Sequence, residues 1–236
     1  MSNTPLNVPP ANQAVERPAL NKVMWFGIVQ LIGFAAGWAV TYYLYGEFFA
    51  SLGSLGLGPN STPAEVSAAL GPIFQSMVPI TAVSFAIEIV GLLFLTLAFR
   101  DLVKVNRGVF YVPMIFTIIL VVGVAVAALG FIPLINSIPT LIAEVPTNST
   151  STLPPAFAAA MGNLLIDSIA LVIAGILALI GIIGGQILGL WRVGTRYDQT
   201  LIKLGAIFTI IPLLNIVAPI LVLIGAYEAK GRLVIQ

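Results

Sequence analysis

Glu88 is the one ionisable residue that falls near the middle of a long apolar run, twelve residues before Arg100. At the helical rise of about 1.5 Å per residue this puts it about 18 Å from the charged end of its segment. A carboxyl group at that depth is costly, so it marks either a proton or cation path or an interhelical hydrogen bond. Asn215 lies the same number of residues from Lys203, at matching depth if its segment is a straight span, and within reach of a hydrogen bond to Glu88. Gln30 and Gln186 form a second polar layer, roughly 9–12 Å above the charged ends. One carboxylate without a second acid, a Lys or a His is thin material for coupled transfer. Interhelical bonding is therefore the expected role, and a relay through Glu88 the sharper alternative.

The chain has no Cys and no His. That removes disulfides, thiol nucleophiles, imidazole bases and the usual zinc and haem ligands. No catalytic residue, metal or cofactor is assigned, and an enzyme is not expected. Tyr197-Asp198 lacks a following Gly-x-Gly-Asp, and Gly53 to Gly58 does not complete a dinucleotide fingerprint or a phosphate loop. Asp167 stands 25 residues from Arg192, with Asn163 near it, which suits solvated groups at an outer interface. The ten basic residues are spread over the flanks of apolar runs and cluster on no face, so no nucleic acid is expected as a partner.

With 59% hydrophobic and 8% charged residues, the chain is far from the roughly 45–50% and about 25% of soluble domains. Its apolar runs reach the roughly 20 residues needed to cross a bilayer. The expected fold is all-α, a polytopic helical bundle of about five transmembrane helices in the cell membrane, with lipids around it and the N-terminus cytoplasmic. Residues 1–22, rich in Pro, Asn, Ser and Thr, read as a disordered cytoplasmic tail. Spans follow at 23–45, 78–99, 109–131 and 157–191, the last long enough to project beyond the outer headgroups. Outer loops at 46–77 and 132–156 alternate with cytoplasmic loops at 100–108 and 192–203. Thr62-Pro63-Ala64-Glu65 is a helix start, so the first outer loop should carry a short surface helix.

Residues 204–227 hold Pro212, Asn215 and Pro219. A fifth full span is the expected reading, although it sends the 228–236 tail, with Lys230 and Arg232, to the outer side against the charge rule. A re-entrant hairpin turning near Pro212 to Pro219 removes that conflict but needs burial of its irregular backbone.

Every Lys and Arg before residue 205 lies in the N-terminal tail, near Arg100 to Arg107, or near Arg192 to Lys203. Both outer loops lack basic residues, and each carries a sequon, at Asn60 and at Asn148, which makes them candidates for N-glycosylation. Gly181, Gly185 and Gly189 form two overlapping G-x-x-x-G steps on one helix face, and Gly33 and Gly37 form a weaker example. Such a face packs helices within one chain or draws in a second copy or a membrane partner.

The segment Leu190-Trp191-Arg192-Val193-Gly194-Thr195-Arg196-Tyr197, with Leu204-Gly205-Ala206-Ile207 and Ile211-Pro212-Leu213-Leu214-Asn215 after it, resembles an uncharacterised family of multi-pass membrane proteins from thermoacidophilic, Sulfolobales-like crenarchaea. The resemblance covers mainly the last 50 or so residues. It implies an archaeal plasma membrane facing acid, with glycosylated outer loops, and carries over no catalytic residue. The functional expectation is a non-enzymatic membrane component, an accessory subunit or self-assembling scaffold acting through the glycine face of the fourth span. The alternative is a small proton, ion or solute transporter or channel using Glu88.

Overall fold

The computed structural model describes residues 9–54, 61–145 and 154–233, and over these the protein is all-α, without a strand. Its helices are α1 (Pro10–Ser54), α2 (Pro63–Val105), α3 (Arg107–Ala143), α4 (Pro155–Gly181), α5 (Leu188–Arg196), α6 (Thr200–Phe208) and α7 (Ala218–Arg232), and a π-helical segment, Ile182–Ile187, joins α4 to α5. Four stretches, within α1, over α2, over α3 and from α4 through α5, are long and apolar enough to cross a membrane. Along α4, Leu165, Ile169, Val172 and Ile176 are more than half exposed. In water that face would be a liability, whereas lipid tails cover it at no cost.

Several boundaries differ from those read in the sequence. Helix α1 starts at Pro10, so residues 10–22 are not a disordered tail; residues 1–8 lie outside the described residues. Ala19 and Leu20 are fully buried, as is Glu16, and these contacts offset the ordering cost that composition alone cannot meet. The expected surface helix at Pro63 is the first part of α2. Its start is a capping box: the Glu65 carboxylate accepts from the Thr62 N–H at 2.8 Å, and the Thr62 hydroxyl accepts from the Glu65 N–H at 3.3 Å. Helix α3 runs through Pro133 and Pro139 and ends only at Ala143.

By the clustering of its contacts the chain divides into two compact units. One takes the chain up to Phe34, Ala86–Val124 and the chain from Ile176; the other takes Ala35–Phe85 and Ala125–Gly175. All ten basic residues belong to the first, and the second has four acids and no base.

In the first unit α1 runs antiparallel to α2, with Lys22 bonded to Asp101, Trp25 stacked on Phe94 at 6.1 Å, and Gln30 bonded to Glu88. Phe99 and Phe110 stack where α2 turns into α3 around Asn106, whose side chain accepts from the Val109 N–H at 3.3 Å. The core gathers Phe26, Leu95, Phe99, Phe110, Leu190 and Tyr197 with the inner faces of α6 and α7.

Residues 204–227 do not form the expected fifth span. Helix α6 stops at Phe208, because Pro212 has no N–H to offer and its ring would meet the carbonyl four residues back. Turns carry the chain to α7, where Pro219 lies in the first turn and so gives up no hydrogen bond within the helix. The chain then reverses: Gly205 meets Ala218 and Val222, and Gly225 meets Ile202, each without room for a side chain. The return leaves Lys230 and Arg232 near the start of α6, where the Gln199 amide lies between Glu228 and Arg232. The second unit is held by Phe85 edge-on to Phe131 at 6.3 Å, and by the Ser67 hydroxyl donating to the Pro139 carbonyl at 2.7 Å.

The glycine face of the fourth span is filled from within the chain. A methyl group on Gly181 would lie 2.5 Å from the Leu120 Cβ, one on Gly185 would lie 2.6 Å from the Thr117 backbone nitrogen, and the Phe99 ring occupies the space at Gly189. Gly33 faces Ile87, whereas nothing lies within 4 Å of the side-chain position of Gly37. The close approach allowed by the spacing is thus made to α2 and α3. Gly185→Leu should lower the stability of the detergent-extracted protein by at least about 1–3 kcal/mol, the usual range for overpacking. Gly37→Leu should leave it nearly unchanged, and thermal unfolding followed by circular dichroism checks both.

Candidate functional site

The polar residues singled out in the sequence converge inside the first unit, in an arrangement other than two stacked layers. Gln30 on α1 donates its amide N–H to the Glu88 carboxylate on α2 at 3.0 Å. One turn along α2 stands Gly91, where a methyl group would lie 3.1 Å from the Gln30 side-chain nitrogen. The missing side chain at Gly91 is what lets the Gln30 amide lie against α2. Both contributors are legible in the Glu88-to-Gly91 spacing, but only once α1 is known to pack there.

Beside this pair is a small cavity, with about 10 Å³ of room, lined by Gln30, Gln186, Thr209 and Asn215 among apolar walls that include Phe26 and Leu190. That is about the space one water needs. Gln186 belongs to the π-helical segment, and such segments recur where a helix must turn a side chain toward a site. Thr209 and Asn215 come from the turns between α6 and α7. Thr209 donates to the Gly205 carbonyl at 3.0 Å, and the Asn215 backbone N–H donates to the Ile211 carbonyl at 2.8 Å. Among the described residues the side-chain amides of Gln186 and Asn215 have no hydrogen-bond partner, so their donors and acceptors remain for the cavity.

Asn215 reaches this site by a route other than the one its sequence position suggests. No bond joins it to Glu88 among the described residues; the carboxylate is paired with Gln30, and Asn215 sits at the turn of a hairpin. Equal spacing from Lys203 gives equal depth only along one straight helix, and α6 breaks after Phe208. Asn60 and Asn148, the sequon residues, lie outside the described residues.

Chemically, the arrangement offers one carboxylate that can take up a proton, and three amides and a hydroxyl that can hold a water molecule or, through their oxygens, a small cation. It presents no nucleophile beside a base.

A second polar group escaped the sequence reading. Glu16, fully buried on α1, forms an ion pair with Arg196 at the end of α5, with the buried Tyr197 beside them. Burial, and then the neighbouring Glu16 carboxylate, push the Tyr197 phenol above its usual range, so it stays neutral. Arg192 donates to the Val109 carbonyl, and Lys22 and Lys104 share Asp101. These contacts tie α1, α2, α3 and α5 together at their charged ends. The only sequence sign was a Glu standing among polar residues before the first apolar run. Removing Arg196 leaves Glu16 as a buried charge without its partner. Arg196→Met should therefore cost up to about 3 kcal/mol, the low end for breaking such a pair, since Arg196 keeps some solvent access. Chemical denaturation in detergent against Thr195→Ala, an exposed neighbour, measures the difference.

The sequence model of a family described as protein of unknown function, DUF973, matches residues 20–234, and the chain belongs to that family. Comparison with curated proteins and with solved structures gave no match.

Proposed function

Since a family of unknown function carries no activity over to its members, we propose from the site itself that this is a non-enzymatic integral membrane protein that moves a proton or small cation through the Gln30–Glu88–Gln186–Asn215 centre. The observation that supports this most is the meeting of the Gln30–Glu88 pair with the helix break at Thr209 to Asn215 around one small cavity. Irregular backbone at membrane depth is tolerated where it lines a cavity, and broken helices are a common way to present polar groups to an ion. With the hairpin re-entrant, the charge rule puts the ends of α1 and α7 that carry the basic residues in the cytoplasm. The proposal includes an archaeal plasma membrane and glycans at Asn60 and Asn148, supported by the resemblance of residues 190–215 and by the base-free composition of the outer segments.

One observation favours a scaffold or accessory role instead: Leu213, in the turn between α6 and α7, is 88% exposed, and Ile210 60%. A partner helix over that turn would shield its backbone from lipid. Reconstitution separates the two readings. Sealed vesicles containing the wild type should show a potential-driven proton or potassium flux, and Glu88→Gln should reduce it on the order of tenfold or more, as expected when a charge-assisted bond is lost. No flux from the wild type, or the same flux from Glu88→Gln, would overturn the transport reading.

A further inference from the structure

The second unit holds a cleft of about 570 Å³ in the seam between α3 and α4, independent of the centre at Glu88. Its origin lies in how the two helices meet. At Gly130 the backbones come together, a methyl group there lying 3.1 Å from the Asp167 carbonyl oxygen. In the next turns the seam carries Asn136, Ser137 and Thr140 on α3 facing Asn163 and Asp167 on α4, and there the cleft opens. Among the described residues the side chains of Asn136, Asn163 and Asp167 have no hydrogen-bond partner, and Ser137 spends its proton on its own helix. The volume is that of a small-molecule site, within the range of about 300–1,000 Å³.

Charge decides the ligand class. The unit contains four acids, Glu47, Glu65, Glu144 and Asp167, and no Lys or Arg, so Asp167 has no cation of its own. The remaining polar groups of the cleft offer amide and hydroxyl oxygens as acceptors, and Ile166 supplies an apolar wall. A bare metal ion would find one carboxylate in a space far larger than a coordination shell. We infer that this cleft binds a small organic cation, its ammonium N–H groups on the Asp167 carboxylate and the neighbouring amide oxygens, its apolar part against Ile166.

The test uses the full chain purified in detergent at neutral pH, titrated calorimetrically with benzylammonium and with benzyl alcohol as the uncharged counterpart. Saturable binding of benzylammonium near one per chain is expected, weakened on the order of tenfold by Asp167→Asn, as for a lost charge-assisted bond. Asn163→Asp, which adds a carboxylate one turn away, should tighten it. Circular dichroism confirms that both variants are folded, and the gain in affinity cannot come from unfolding. Equal binding of benzyl alcohol, no saturable binding, or an affinity indifferent to both substitutions would overturn the proposal. Calcium chloride is the remaining arm: calcium binding tighter than benzylammonium and dependent on Asp167 would overturn the organic-cation assignment.

Discussion

Backbone N–H and C=O groups that enter hydrocarbon must be satisfied within the chain, and cationic side chains must stay out of it. In this protein the two demands meet at one place, the reversal between α6 and α7. Helix α6 cannot continue past Phe208 because of Pro212, and Pro219 then starts a new helix. The two short helices close on each other at Gly205 and Gly225, where side chains would not fit. The reversal returns Arg232 to the neighbourhood of Gln199. Without it, Lys230 and Arg232 would end on the far side of the apolar layer from Lys203.

The same reversal makes the polar centre. A continuous helix through residues 204–227 would keep its backbone bonds to itself and spread Thr209 and Asn215 around its surface. Broken, it brings both to the cavity where Gln30 and Gln186 already point, next to the Gln30–Glu88 bond. Packing elsewhere serves this position. The Phe99 ring seated at Gly189 and the backbone of Thr117 against Gly185 set α5 and the π-helical segment close to α2 and α3, and Gly91 admits the Gln30 amide. At the charged ends, Glu16–Arg196 and the Lys22–Asp101–Lys104 cluster fasten the same helices.

Much of this was legible in the sequence. Apolar run length marks the four long helices, Thr62 and Glu65 mark the start of α2, and Glu88 stands out as the acid within an apolar run. What was not legible depended on contacts distant in the chain. Residues 10–22 look too polar to order until Ala19 and Leu20 find a core made by later helices. Spacing from Lys203 sets the depth of Asn215 only along a continuous helix, and Pro212 interrupts it. The glycine face of Gly181, Gly185 and Gly189 announces a close neighbour without saying whose, and Leu120, Thr117 and Phe99 of the same chain fill it. The distance from Arg192 makes Asn163 and Asp167 read as solvated groups but says nothing of what faces them; that depends on α3 staying helical through Pro133 and Pro139.

The reversal is the claim on which the rest stands, and the absence of native Cys makes it directly measurable. Single cysteines replacing Arg107, Glu144 and Lys230 would be labelled in sealed, oriented membranes with a membrane-impermeant maleimide. The account predicts that Arg107→Cys and Lys230→Cys react from the same side and Glu144→Cys from the opposite one. Labelling of Lys230→Cys together with Glu144→Cys would contradict it, since the chain would then cross the membrane a fifth time.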